Sequence, residues 1–326
     1  MTLSILIIHY KTLQLTTDCI RSIEAHTKGI DYEIIVIDND SQDGAKELIL
    51  SSFSSVHWLD MGYNAGFARA NNAGMQVAKG EYVVLLNSDT IILDDIFTKL
   101  AKYLDNEPDV VACGGIQLDK NHNERHFYRS LNPLIRTFAI LPPSHFFDNL
   151  LAKLFPEKQF ADPQQVEWIP AALLMARKSI IDKVGMLDED FFMYGEDAEW
   201  NCRLGRAGRL KVYDDCRYVH YEWGSDSGRK KQEMTPINRF YPQIQLSNLV
   251  WIRKQYGLLA YLSLMLNYVV MLVFYYIWKI IVNIKNGKSP FAELHHQKDF
   301  ARKLRIFTSY FWKIVWNKPY FYKLNK

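Results

Sequence analysis

The sequence predicts an α/β fold in which a mostly parallel sheet carries helices on both faces, followed by a helical, apolar and then basic C-terminal region. Three observations carry that expectation. Strand-length apolar runs alternate with stretches of helical spacing through the first 116 residues. Such alternation favours parallel strands joined by crossover helices. Past residue 257 the composition changes to a long apolar run and then a basic, aromatic tail.

The elements follow in order. Leu3–Ile8, Glu33–Asp38, Val56–Leu59, Glu81–Leu86 and Val110–Gly115 are apolar, strand-like runs, as expected of strands in a covered parallel sheet. Leu3–Ile8 lacks a basic leader and is too short for a secretory signal, so it reads as a first strand. Thr16–His26, Asp43–Ser52, Gly66–Ala78 and Asp94–Leu104 have helical spacing. Residues 119–165 lose the rhythm and read as a long excursion or lid. A strand at Ala171–Ala176, helices at Lys178–Val184 and Glu196–Ala207, and closing strands at Leu210–Tyr213 and Tyr218–Tyr221 complete the body. A helix starts near Asn238.

The 326 residues carry 39 Lys and Arg against 36 Asp and Glu, and 48% are hydrophobic, which is ordinary for a folded protein. The charge is uneven. Residues 1–257 hold 28 basic and 34 acidic side chains, and residues 258–326 hold 11 and 2. A mildly acidic body argues against nucleic-acid binding, and a basic tail suits an anionic surface. Cys19, Cys113, Cys202 and Cys216 contain no C-x-x-C pair, so neither a zinc site nor a disulfide framework is expected. Leu258–Val282 is long enough to cross a bilayer and ends in Tyr275, Tyr276 and Trp278. A single span would send the basic tail out of the cytoplasm, so a re-entrant or interfacial anchor with cytoplasmic flanks is preferred. The competing reading is a buried helical hairpin at an oligomer interface, a segment able to support a homodimer.

Several segments carry polar groups where strands end, and ligands of open α/β sheets bind outside the carboxyl ends of strands. Asp38 and Asn39 end the second strand, where Asp38 is suited to accept a hydrogen bond from a base; Ser41 or Asp43 would cap the next helix. Asn64-Ala65-Gly66 opens a helix whose start suits phosphate, with Arg69 one turn on. These same residue types also make ordinary turns and caps. Asn87-Ser88-Asp89 offers one carboxylate, enough for a divalent cation that keeps waters and phosphate oxygens. Trp168, before Pro170-Ala171-Ala172, is either core or a surface for stacking a sugar. Glu196 and Asp197 begin a helix, where the dipole favours an ionised carboxylate able to take a proton from a hydroxyl. His220 is a candidate metal or diphosphate ligand.

The ordered set resembles family 2 glycosyltransferases of the GT-A, Rossmann-like, nucleotide-sugar-binding fold, in particular the rhamnosyltransferase-like bacterial enzymes of surface-polysaccharide assembly. It rests on Asp38-Asn39 and Asp43-Gly44, Asn64 to Gly74, Leu86 to Thr90, and Val184 to Asp197. It continues through Arg203, Ala207-Gly208, His220 to Ser227 and Arg239-Phe240-Tyr241. The resemblance implies inverting transfer from a nucleoside-diphosphate sugar, dTDP-rhamnose as the best guess, to a lipid-linked saccharide at the cytoplasmic face of the bacterial inner membrane, with Mg²⁺ or Mn²⁺ on the diphosphate. It implies Asp197 as the catalytic base, with Glu196 sharing that role or positioning the acceptor. Tyr10, Asp38, Asn39, Asn64, Gly66, Arg69, Asn87 and Trp168 become substrate-binding candidates, and Asp89 and His220 metal ligands. Asn87 stands where the family has the first acid of its D-x-D motif, and His9-Tyr10 where Asn-Tyr is usual. The expected division is a catalytic domain over 1–237, with a nucleotide half at 1–116 and an acceptor half at 166–228, and a membrane-associating region over 238–326. The alternatives are a transferase of the same fold for another UDP- or dTDP-sugar, or a non-catalytic membrane scaffold that binds nucleotide sugar.

Overall fold

In the computed structural model, which describes residues 1–125, 127, 129–221 and 235–324, the chain forms two compact units. The first comprises Met1–Ser130, Gln159–Phe192 and Glu196–Arg229; the second comprises Leu131–Lys158, Met193–Gly195 and Lys230–Lys326.

The first unit opens with β1 (Leu3–His9), α1 (Leu13–His26), β2 (Tyr32–Asp38), α2 (Ala45–Ser52), β3 (Val56–Asp60), α3 (Gly66–Val77) and β4 (Tyr82–Asn87). The pairs β1–β2, β1–β4 and β2–β3 are parallel, as the alternation predicts. β1 lies between β2 and β4, so both of its edges are paired. Its side chains divide with the two-residue period of a strand. Leu3, Ile5 and Ile7 pack with α1 residues Cys19, Ile20 and Ile23, whereas Leu6 packs with α3 residues Ala68, Ala70 and Met75. Each such fully buried aliphatic side chain contributes about 1.5–3 kcal/mol.

After β4 come β5 (Thr90–Ile92), α4 (Ile96–Asn106) and β6 (Val110–Leu118). The second unit then contributes α5 (Leu131–Arg136) and α6 (His145–Leu154), so the stretch expected to be a lid contains two helices. The first unit resumes with β7 (Gln165–Val166), β8 (Leu173–Arg177), α7 (Lys178–Val184), α8 (Glu196–Ala207) and β9 (Arg209–His220). The sheet order is β3-β2-β1-β4-β8-β6-β9-β5, with β7 beside β9.

The second half of the sheet is mixed. β8 runs antiparallel to β4 and β6, and β5 and β7 run antiparallel to β9, while β6–β9 is parallel. β5 and β7 are three and two residues long, below the length at which period-2 patterning is legible. The two closing strands are one, β9, whose pairing with β6 slips between Gly115 and Ile116. That irregularity needs glycine: a Cβ on Gly115 would lie 2.3 Å from the Cys216 carbonyl oxygen.

The C-terminal part of the second unit is helical: α9 (Pro242–Lys285), α10 (His295–Ser309) and α11 (Phe311–Val315). α9 is broken at Gly257, whose φ of 87° no helix contains, so an apolar rod starts afresh at Leu258.

Candidate active site

The parallel register sets one end of the site. His9 is opposite Asp38, and Ile8 is opposite Asn87, so the carboxyl ends of β2, β1 and β4 stand side by side. The loops leaving them line a cleft of about 780 Å³. Its walls are Tyr10, Lys11 and Leu13 after β1, Asp40, Ser41, Gln42 and Asp43 after β2, and Asn64 before α3. Lys11, Asp40 and Gln42 all hold positive φ, at 55°, 60° and 53°, a conformation L residues adopt at a cost. Three such residues on one cleft mark a loop shaped for something other than its own stability.

Buried hydrogen bonds hold this loop. His9 is fully buried; its Nδ1 lies 2.8 Å from Thr16 Oγ1 and its Nε2 3.1 Å from an Asp43 carboxylate oxygen. The Lys11 amide donates to Ser41 Oγ, and the Ser41 amide lies 3.2 Å from both Asp38 oxygens. Asp43 also accepts from the Ala45 amide, the first of α2, while the cap position expected of Ser41 or Asp43 is held by Gly44. Lys11, Asp40, Ser41, Gln42 and Asp43 were not candidate substrate contacts in the sequence, because turn and cap residues look the same there as binding residues.

Three candidates prove to be occupied elsewhere. Asn39 is 3% exposed; its carboxamide donates to the Gly66 carbonyl and accepts from the Ala65 amide, so it ties the β2 end to the start of α3 rather than facing a ligand. Gly66 does permit a close approach, but of backbone: a Cβ there would lie 2.2 Å from the Phe192 carbonyl oxygen. The first two amides of α3 are already used, Gly66 by Asn64 Oδ1 and Phe67 by the Phe192 carbonyl, so neither is free to bind phosphate. Arg69 is engaged by Glu189, through its backbone carbonyl at 3.3 Å and its carboxylate at 3.8 Å.

The second group of residues sits past β4. His220, which ends β9, faces this loop because β5 pairs Thr90 with it. Its Nε2 lies 3.1 Å from Asp89 Oδ1 and 3.2 Å from Asn87 Nδ2. Its Nδ1 is buried without a hydrogen-bond partner. Thr12 Oγ1 lies 3.2 Å from Ser88 Oγ, joining this loop to the one after β1. Among the described residues no group of three or more His, Cys, Asp and Glu side chains is arranged to hold a metal. The Asp89–His220 pair offers one carboxylate oxygen and one imidazole nitrogen. That donor set fits Mg²⁺ or Mn²⁺ only with diphosphate oxygens and water as further ligands.

The third group is the start of α8. Tyr194 and Gly195 have φ values of 70° and 84°, so the chain turns sharply before Glu196. Asp197 is half-buried and accepts three hydrogen bonds: from the Trp168 indole N–H at 3.2 Å, from the Ala198 amide at 2.8 Å, and from the Ala171 amide. Asn201, one turn on and fully buried, works as a surrogate strand for the segment that supplies two of them. Its Oδ1 accepts from the Ile169 amide, and its Nδ2 donates to the carbonyls of Ile169 and Asp197. The same segment reaches the β4 end, where the Asn87 amide donates to the Ala172 carbonyl. The segment 168–172 therefore ties the β4 end to Asp197.

Burial raises the Asp197 carboxyl above the usual range, and the three donors oppose that rise. Glu196 differs. It is 5% exposed, its Oε2 has no hydrogen-bond partner, and burial followed by the Asp197 charge pushes it well above the ordinary glutamate value. Two adjacent carboxyls are thus set apart: burial raises both, Glu196 with no donor to its Oε2 and Asp197 against the donors that hold it. Other acids of this stretch have structural partners: Glu199 binds Arg203, which also donates to the carbonyls of Val184, Gly185 and Met186. Glu222–Ser227, part of the resemblance, lies outside the described residues.

Comparison with known proteins places the chain in a family. The family model described as glycosyl transferase family 2 matches residues 4–185. The N-acetylglucosaminyl-diphospho-decaprenol L-rhamnosyltransferase of Mycobacterium tuberculosis is 27% identical over 209 residues, 60% of this chain and 68% of that protein. The dTDP-rhamnosyl transferase RfbF of Shigella flexneri is 27% identical over 191 residues, 57% of this chain and only 59% of its own length. Among solved structures, the mannosyltransferase PcManGT of Pyrobaculum calidifontis, in complex with GDP-Man and Mn²⁺, superposes with a TM-score of 0.51. At 14% identity, covering 97% of this chain and 87% of the other, that likeness is one of fold.

Proposed function

The chain belongs to glycosyl transferase family 2, and from that premise we propose that it transfers a sugar with inversion from a nucleoside diphosphate to a lipid-linked saccharide in bacterial surface-polysaccharide assembly. It is a rhamnosyltransferase-like glycosyltransferase of GT-A fold. The finer reading is rhamnose from dTDP-rhamnose, at the cytoplasmic face of the membrane. The names of the mycobacterial and Shigella relatives support the sugar, and the former supports a lipid-linked acceptor.

One observation carries the proposal: a carboxylate held by three donors at the start of α8, joined through residues 168–172 to the carboxyl end of β4. In the proposed reaction the Asp197 carboxylate takes the proton of an acceptor hydroxyl. The acceptor oxygen forms its bond to the anomeric carbon from the face opposite the diphosphate. The bond from that carbon to the diphosphate oxygen breaks, and its electron pair leaves with the nucleoside diphosphate. The raised carboxyl suits the step, because a base titrating nearer neutrality drives proton transfer better. Trp168 keeps the carboxylate aimed while leaving its half-buried ring for a sugar face. Burial and the Asp197 charge disfavour the ionised form of Glu196, which keeps a second charge from the attacking site.

The donor's nucleoside is assigned to the cleft of Tyr10, Asp40, Ser41 and Asn64, with Asp38 behind Ser41 and holding its amide. Asp89 and His220, with Asn87 beside them, would hold a divalent cation. When bound, that cation neutralises charge developing on the leaving diphosphate. Asn87, in place of an acid, favours one second reading, a nucleotide-sugar-binding scaffold without transfer. Screening nucleotide sugars for binding and for turnover by purified protein, with and without Mn²⁺, separates the two. The proposal expects metal-stimulated turnover of one donor; binding of a donor with neither hydrolysis nor transfer would leave only the scaffold.

A further inference from the structure

The second unit carries a surface that the proposed chemistry does not use. From Leu258, α9 is two-faced. Tyr261, Leu264, Met265, Tyr268 and Met271 are buried. The Tyr268 ring lies 5.9 Å from Phe300 and 6.4 Å from Phe307 of α10, and Tyr261 lies 5.8 Å from Phe311 of α11. The opposite face is bare: Leu259, Leu266, Val270, Val273, Ile277 and Trp278 are each between 53% and 79% exposed. Their spacing follows one helical stripe. Trp312 and Trp316 stack on each other and are about two-thirds exposed. Only 28% of the most apolar window of α9 is buried, which a core helix of a soluble protein does not show. An apolar surface of this size marks an interaction site.

The partner helix decides which kind. Gln297 donates to the Tyr275 carbonyl, and Phe300 and Phe307 meet Tyr268, so α10 lies alongside the middle of the apolar rod. On α10, Lys298, Arg302 and Arg305 are exposed. If α9 crossed a bilayer, these three charges would ride at the depth of its hydrocarbon centre, where charged side chains are strongly disfavoured. If α9 lies in the plane of the membrane, its bare stripe enters the headgroup–acyl boundary and the cations remain among the headgroups. The charge balance names the lipid: residues 258–326 hold 11 basic side chains against 2 acidic ones.

We infer that the second unit docks in plane on an anionic bilayer surface through the bare stripe of α9 and through Trp312 and Trp316, with the α10 cations against anionic headgroups, and does not span the membrane. This deepens the membrane reading above but rests on none of the catalytic assignments. The experiment has two arms, neither of which needs substrate. In the first, purified full-length protein is floated with vesicles of phosphatidylcholine alone or mixed with phosphatidylglycerol. Binding to the mixed vesicles is expected to be roughly tenfold tighter or more at low salt. The preference should vanish in Lys298→Glu/Arg302→Glu/Arg305→Glu, and Val273→Asp/Ile277→Asp should lose binding to both vesicles. An unchanged far-UV spectrum and melting temperature in each variant establishes folding. Equal binding to both vesicles, or none to either, overturns the inference. In the second arm, Asn286→Cys in a Cys202→Ser background is treated with a membrane-impermeant maleimide in sealed inside-out vesicles from an expressing bacterium. Labelling without detergent is the in-plane result; labelling only after detergent means that α9 spans, and overturns it.

Discussion

The indole N–H of Trp168 donates to the carboxylate of Asp197 across 3.2 Å, and that bond links the start of α8 to the segment that precedes β8. It stabilises the ionised form against the desolvation that otherwise raises Asp197.

Trp168→Phe keeps the aromatic bulk and removes the donor. A hydrogen bond to a charged group contributes about 1.5–3 kcal/mol, or roughly one to two pKa units. Asp197 should then titrate higher. Because the base must be ionised, the acid limb of the pH profile of kcat/KM should move to higher pH by about that amount, with donor affinity little changed. A profile that falls uniformly without moving would show that Trp168 acts only by packing.

Glu196 gives a pH dependence of stability. Its folded-state carboxyl is raised well above the ordinary value by burial. Below the unfolded-state value both states are protonated and nothing is lost. As pH rises past it, the unfolded chain ionises first, and folding is increasingly penalised until the folded carboxyl also ionises. Glu196→Gln, which mimics the protonated form, should melt higher than wild type at neutral pH. The difference should shrink toward zero in acid. A difference independent of pH would contradict a raised Glu196 carboxyl.

Asp89→Ala and His220→Ala test the cation site. Each should weaken Mn²⁺ binding in the presence of donor, read by titration calorimetry, by about ten- to a hundredfold. Each should also raise the Mn²⁺ concentration needed for half-maximal turnover. Unaltered Mn²⁺ affinity in both variants would remove the pair from the metal site.

Gly66→Ala tests the correction to the α3 start. With φ at 74° and the Phe192 carbonyl oxygen 2.2 Å from the new Cβ, the variant should be destabilised by about 1–3 kcal/mol or more in denaturant unfolding. A stable variant with weakened donor binding would restore the ligand-contact reading.

The parallel half of the sheet was legible because Leu3–Ile8, Glu33–Asp38 and Glu81–Leu86 are apolar runs long enough to show that both faces are buried. The antiparallel setting of β8 was not, since the direction of a strand leaves no mark in its composition. β5 was hidden for want of length. At the site, the carboxylate pair of α8 and the Asp89–His220 meeting were both foreseen residue by residue. What the sequence could not separate was Asn39 and Gly66, which clamp backbone, from residues open to the cleft. Asn and Gly serve a backbone clamp and a binding loop equally well, and only the position of the Phe192 carbonyl tells them apart. Asn201 was missed for the same reason: a buried amide one turn past an acid carries no signal until Ile169 lies against it.

The central claim is that Asp197 is the base of a sugar transfer, and the direct measurement is transfer against donor binding in Asp197→Asn. With the donor found by screening and a lipid-linked acceptor, transfer should fall by about a hundred- to ten-thousandfold. Donor affinity, measured separately by calorimetry, should stay within about twofold, because the substitution changes no cleft residue. Turnover near the wild-type rate in a variant that binds donor normally would contradict the assignment.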